Sequence, residues 1–117
     1  MTSFKPLEIT DISTITQMMQ DFYAIDNYPM DVEVAKTLFQ EFISNEHLGK
    51  SWLIYSENEI VGYIILTFIF SFEYGGKIAF VDELFIKETA RGKGIGKEAI
   101  QFIQREVPKL SLKLLYL

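Results

Sequence analysis

The sequence predicts a mixed α/β fold of the α+β kind, with elements in the order β-α-α-β-β-β-α-β. Three observations point to it. Apolar residues recur at helical spacing in three stretches, within 12–22, 34–42 and 95–103. Runs of apolar and aromatic residues at 52–55, 60–72 and 78–86 are parted by short turn clusters, Glu57-Asn58-Glu59 and Tyr74-Gly75-Gly76-Lys77, so these strands pair antiparallel. The last helix lies between two strands, which makes that final connection a parallel crossover.

Taken in order, residues 5–9 read as a short strand. Thr10 or Asp11 is placed to cap the helix that follows, since their side chains accept from unpaired helix N–H groups. Ile12, Ile15, Met18, Met19 and Phe22 form its inward stripe, and the cluster Asp26-Asn27-Tyr28-Pro29 ends it. Asp31 caps a second helix with Val34, Leu38, Phe39 and Phe42 as its buried stripe, and Glu33 suits the positive end. Residues 52–55, 60–72 and 78–86 are the three central strands, and 87–90 is a polar loop. A helix over 94–106 turns Ile95, Ala99, Ile100, Phe102 and Ile103 inward, and Pro108 stops it. Residues 112–117 begin a last strand.

Bulk properties narrow the class. At 117 residues, 49% hydrophobic and 15% aromatic, the chain is expected to fold as a single domain spanning 1–117. A core of this size is small, so stability is expected to be modest or to lean on a partner. With no cysteine, disulfides, thiolate metal sites and a cysteine nucleophile are excluded. The N-terminus lacks a basic stretch followed by an apolar run, and residues 60–72 are too few to span a bilayer, so a cytoplasmic protein with no membrane partner is the expectation. A net charge of −5 argues against a nucleic-acid surface and mildly favours cationic small substrates. The single histidine, His47, has no cluster around it that would make a triad or a metal site, and no metal is expected.

The strongest local anomaly is Arg91-Gly92-Lys93-Gly94-Ile95-Gly96-Lys97, between a strand and a helix. Glycines let a ligand approach the backbone, and the first helical turn offers unpaired N–H donors with the positive dipole end behind them. Three basic residues add charge, so this is a phosphate-binding loop. A Walker loop fails twice, because Arg91 stands where a glycine is needed and Glu98 where Ser or Thr is needed. Gly94-Ile95-Gly96-Lys97-Glu98-Ala99 fits the loose dinucleotide pattern. The acidic residue expected about 20 positions on is absent, and the loop follows antiparallel hairpins rather than opening a parallel sheet.

What remains is Arg-x-x-Gly-x-Gly, at Arg91, Gly94 and Gly96. Here the chain resembles the GNAT superfamily of N-acetyltransferases, most densely over residues 81–96, with an element order that matches along the whole chain. The resemblance implies that residues Arg91, Gly92, Lys93, Gly94, Ile95, Gly96 and Lys97 bind the pyrophosphate of acetyl-coenzyme A. It implies that main-chain groups of Leu84, Phe85 and Ile86 run along the pantetheine arm, with an N–H near the thioester oxygen. The acceptor amine must lose a proton before it attacks, which calls for a carboxylate or water. Asp82 and Glu83 are the candidates, expected to face opposite sides of their strand, with the choice between them open. Tyr23, Tyr28, Glu73 and Tyr74 are candidates for the acceptor site.

Members of this family continue beyond the strand that begins at Leu112, with a further helix and two strands and often a tyrosine that protonates the leaving thiolate. The chain is therefore expected to be C-terminally truncated, and an uncovered sheet edge of that kind favours a homodimer. Two functions stay open: an N-acetyltransferase acting on a small-molecule or peptide amine, and a coenzyme A-binding or structural module without turnover.

Overall fold

A computed structural model describes residues 1–113 and 115–116. One five-stranded sheet runs in chain order, β1 (Thr2–Pro6), β2 (Gly49–Ser56), β3 (Glu59–Ser71), β4 (Gly76–Ile86) and β5 (Leu115–Tyr116). The first four are antiparallel neighbours, and β5 lies parallel to β4. Helices α1 (Ile12–Ile25) and α2 (Val32–Ser44) connect β1 to β2, and α3 (Ile95–Glu106) connects β4 to β5. The order matches the sequence expectation. Positions 114 and 117 of the expected last strand lie outside the described residues.

Alternation along the strands sorts side chains between two cores. Leu53, Tyr63 and Ile65 point to the face covered by α1 and α2, where Ile12, Ile15, Met18, Met19 and Phe39 meet them. Trp52, Ile64 and Leu66 point to the face covered by α3, against Ile103. Phe102 of α3 stacks on Phe4 of β1, with centroids 4.2 Å apart, so helix and first strand close on each other.

The details correct three sequence expectations and bear out a fourth. The first strand lies earlier than 5–9, and Ile9–Asp11 forms a 3-10 turn instead. Phe4 needs the strand position opposite Ile54 to reach Phe102. Asp11 does not cap α1: its carboxylate turns back to accept from Lys5 Nζ at 2.7 Å and Glu8 N–H at 3.0 Å. Asp31 does cap α2, accepting from Glu33 N–H and Val34 N–H at 3.0 and 3.1 Å. On α2 the buried stripe is Ala35 and Phe39, with Phe42 partly covered, while Val34 and Leu38 are exposed. Both phases are apolar, and the one with the small Ala35 is the one that lies against the protein.

Gly62 shows how closely β3 and β4 approach beside the site. A Cβ there would lie 2.1 Å from the Phe85 carbonyl oxygen, so the backbone must shift to admit any side chain. Gly62→Ala is expected to lower unfolding free energy by about 1–3 kcal/mol, measured by denaturant titration, with the denaturant slope unchanged. Unaltered stability would show that the strands are not held at this spacing.

Candidate active site

Strand β4 carries both halves of the site: two adjacent carboxylates in its middle and a glycine-rich loop at its end. Glu83 pairs with Ile65 and Val81 with Leu66, which leaves Asp82 without a partner on β3. An extra residue of this kind is a β-bulge, and it resets the alternation beyond it. The expectation that Asp82 and Glu83 face opposite sides is corrected: both line one hollow of about 240 Å³ on the face of α1 and α2. Met19, Leu38 and Phe39 form apolar walls, and Tyr23 stands beside the carboxylates.

Glu83 is held from two elements. Its Oε2 accepts from the Tyr23 hydroxyl of α1 at 2.5 Å, and its Oε1 from the Tyr63 hydroxyl of β3 at 2.7 Å. The two donations fix the rotamer of the carboxylate. Burial, and then the hydrogen bond to Glu83, push both phenols well above the ordinary tyrosine value. Asp82 is exposed. Tyr63 escaped the sequence reading because it sits within an apolar run and reads as a core aromatic. Its one signal was the hydroxyl, which a buried tyrosine must satisfy. The partner became visible only with the register: Tyr63 opposes Phe85, so Glu83 is its diagonal neighbour on the same face.

At the end of β4 a 3-10 turn, Glu88–Ala90, leads into the loop. Gly92 and Gly94 adopt φ of 79° and 78°, the left-handed region that favours glycine. A Cβ at Gly92, Gly94 or Gly96 would meet nothing within 4 Å, so the space over the loop is open to a ligand. The first helical bond runs from Glu98 N–H to Gly94 O at 3.1 Å, which leaves the N–H groups of Ile95, Gly96 and Lys97 ahead of it as donors. With the dipole behind them and exposed Lys93 and Lys97 beside them, these groups suit a pyrophosphate. Arg91 is also anchored to the strand. Its Nε donates to Ile86 O at 2.9 Å and its guanidinium lies over the Phe85 ring, tying the loop to the strand end.

Between the two halves lie Leu84, Phe85 and Ile86. Phe85 is buried in the α1 and α2 core, and Leu84 and Ile86 pack towards α3. Among the described residues β5 pairs only with Ala79 and Phe80, so no strand covers the outer edge of β4 beyond them. A hollow of about 530 Å³ lined by Asp21, Phe85, Lys87 and Arg91 adjoins this edge. Of the acceptor-site candidates, Tyr23 reaches the carboxylate hollow. Tyr28 is exposed in the α1–α2 connection, and Glu73 and Tyr74 sit on the β3–β4 hairpin, where Tyr74 accepts from the Tyr116 hydroxyl at 2.8 Å. None of these three lines that hollow. Among the described residues no group of side chains is placed to hold a metal ion, and no helix is long and apolar enough to cross a membrane.

The tyrosine pair has a measurable signature. A phenol whose folded pKa is raised above its unfolded value of 10.0 stabilises the fold below that pH and loses the contribution as pH climbs towards the folded value. Unfolding free energy is therefore expected to hold steady up to about pH 9.5 and fall above about pH 10. In Tyr63→Phe the alkaline fall is expected to be shallower, with about 1–2 kcal/mol lost at pH 8. Identical alkaline slopes for the two proteins would refute the constraint on Tyr63.

Comparison with known proteins places the fold and the family. Residues 14–117 match the family model described as acetyltransferase (GNAT) family. No curated protein sequence matches the chain. An integron cassette protein from the mobile metagenome of Cole Harbour Salt Marsh is similar in structure, with a TM-score of 0.91 and 34% identity, over 97% of this chain and 74% of that one. A predicted acetyltransferase with acetyl-CoA from Clostridium acetobutylicum has a TM-score of 0.81 at 16% identity, over 98% and 79%. The ribosomal-protein-alanine N-acetyltransferase of Brucella melitensis biovar Abortus has a TM-score of 0.81 at 19% identity, over 99% and 78%. At such identities the last two speak for the fold alone. The family model, which takes in all but the first 13 residues, carries the assignment: this chain belongs to the GNAT acetyltransferase family.

Proposed function

We propose that the chain transfers an acetyl group from acetyl-coenzyme A to a primary amine of a small molecule or peptide. The observation that carries this reading is a carboxylate pair on β4 and a glycine-rich turn with open N–H donors just beyond its end, with no strand paired to the edge between them among the described residues. Bound acetyl-coenzyme A would supply the activated thioester.

The residues of the chain then divide the work. N–H groups at the start of α3, with Lys93 and Lys97, hold the pyrophosphate. Main-chain groups of Leu84, Phe85 and Ile86 take the arm along the edge of β4, and a strand N–H there donates to the oxygen that gains charge during attack. Glu83, fixed by Tyr23 and Tyr63, receives the proton of the amine directly or through one water. Asp82, exposed beside it, attracts the ammonium form of the acceptor. Met19, Leu38 and Phe39 around the carboxylates favour an amine with an alkyl or aryl body.

Thermal shift with acetyl-coenzyme A and thiol release over a panel of amines test the proposal. The wild type is expected to be stabilised by the cofactor and to release thiol with at least one apolar-bodied primary amine. Gly96→Val fills the open cradle and is expected to abolish the shift while the chain stays folded. Glu83→Gln is expected to keep the shift and to slow thiol release by about 10²- to 10⁴-fold. Absence of any shift at saturating cofactor would sink the reading. A shift without thiol release from any amine would replace it with a coenzyme A-binding module.

A further inference from the structure

A third hollow, of about 410 Å³, opens at the other end of the sheet. Lys77, near the start of β4, marks its place. Nine residue steps along the strand separate it from Ile86, about 30 Å at roughly 3.3 Å per step, so the hollow is remote from the glycine-rich loop. Its walls carry Lys50, Lys77 and Lys109 around apolar Phe68 and Leu110. Three of the chain's eleven lysines and arginines thus converge on one concavity of a protein with a net charge of −5.

Two of these three charges have no ion-pair partner among the described residues. Lys109 pairs with Glu106 at 3.1 Å. Among the described residues neither Lys50 nor Lys77 has a carboxylate within ion-pair reach, although both are half-buried. Instead each lies over an aromatic ring, Lys50 Nζ 5.4 Å from the Trp52 centroid and Lys77 Nζ 4.9 Å from that of Phe68. Such contacts orient the ammonium groups without neutralising them. Glu46 is the one carboxylate in the lining, and the single histidine, His47, lies beside it. Like charges gathered in one concavity repel one another, and a bound anion relieves that repulsion. The volume falls within the range of small-molecule sites, and the ring of Phe68 with Leu110 offers an apolar seat.

We propose that this hollow is a second ligand site, which binds a small anion with an apolar body, a phosphate monoester or carboxylate on an aryl or short alkyl group. The charged end lies between Lys50 and Lys77 and the apolar end against Phe68 and Leu110. The site stands on residues apart from the acetyl-transfer machinery and does not depend on that reading.

The test is an NMR titration of the ¹⁵N-labelled chain with phenyl phosphate, phenylacetate, inorganic phosphate and benzylamine. The glycine-rich loop is kept out of play by saturating acetyl-coenzyme A or, should that not bind, by Lys93→Glu with Lys97→Glu. Saturable shifts are expected at the amides of Lys50, Phe68, Lys77 and Lys109 with phenyl phosphate or phenylacetate, the stronger of the two showing which anionic head is preferred. Inorganic phosphate is expected to bind about tenfold more weakly and benzylamine not at all. Lys50→Gln with Lys77→Gln is expected to weaken binding about tenfold, and the matching pair of arginine substitutions to retain it. The proposal is overturned if those amides stay still with the loop blocked, if the glutamine variant binds as tightly as the wild type, or if inorganic phosphate binds as tightly as the apolar-bodied anions. Should the glutamine variant fail to fold, the shift map of the wild type and the arginine variant still decide.

Discussion

Between Val81 and Glu83, β4 carries one residue more than the stretch of β3 it pairs with, and the ladder must absorb it. On one side of Asp82, Ala79 and Val81 face α3; on the other, Leu84 and Ile86 face α3 while Glu83 and Phe85 face α1 and α2. Had the alternation continued unbroken from Val81, Glu83 would have entered the α3 core and Leu84 the α1 and α2 core. A carboxylate without a partner in an apolar core is strongly unfavourable, so the irregularity is what permits a charged residue at this point of a central strand. It also gathers Asp82 and Glu83 on one surface, which ordinary pleating forbids for neighbours.

Once Glu83 faces α1 and α2, it becomes a joint between elements. Tyr23 arrives from the last turns of α1 and Tyr63 from β3, so one side chain of β4 ties a helix and an adjacent strand through its two oxygens. Tyr63 is wholly buried, and its hydroxyl would otherwise be an unsatisfied donor. The arrangement satisfies the phenol and orients the carboxylate together. Arg91 plays a comparable part at the strand end, where it holds the loop to Ile86 and covers Phe85. The loop's glycines, by contrast, are left bare, with open space where a side chain would stand.

How much of this could be read from the sequence follows from the range of each signal. Helix and strand order is written in local periodicity, and the loop in the spacing of Gly92, Gly94 and Gly96 with basic neighbours, so both were legible. The stripe of α2 was out of phase because Val34 and Leu38 are as apolar as Phe39, and only packing chooses between them. The first strand was placed late because Phe4 takes its position from Phe102, 98 residues away. The bulge at Asp82 leaves no compositional mark, since it is a property of two strands and not of one. Tyr63 was hidden for the same reason: its partner is fixed by register, and register is not local.

The stacking of Phe4 on Phe102 has a bearing on how the chain comes together. Strands β2, β3 and β4 form a meander of hairpins whose contacts are close in sequence, whereas α3 must cross the sheet to reach the first strand, near the opposite end of the chain. Contacts that close so long a loop tend to form late. The glycine-rich loop lies inside that crossover and opens α3, so where its donors stand relative to β4 is set when α3 docks. An anion bound there would favour the docked state by mass action, adding about 2.7 kcal/mol at a hundredfold excess over its dissociation constant. A ligand held there would thus also act as a latch on α3, linking occupancy of the loop to docking of the helix.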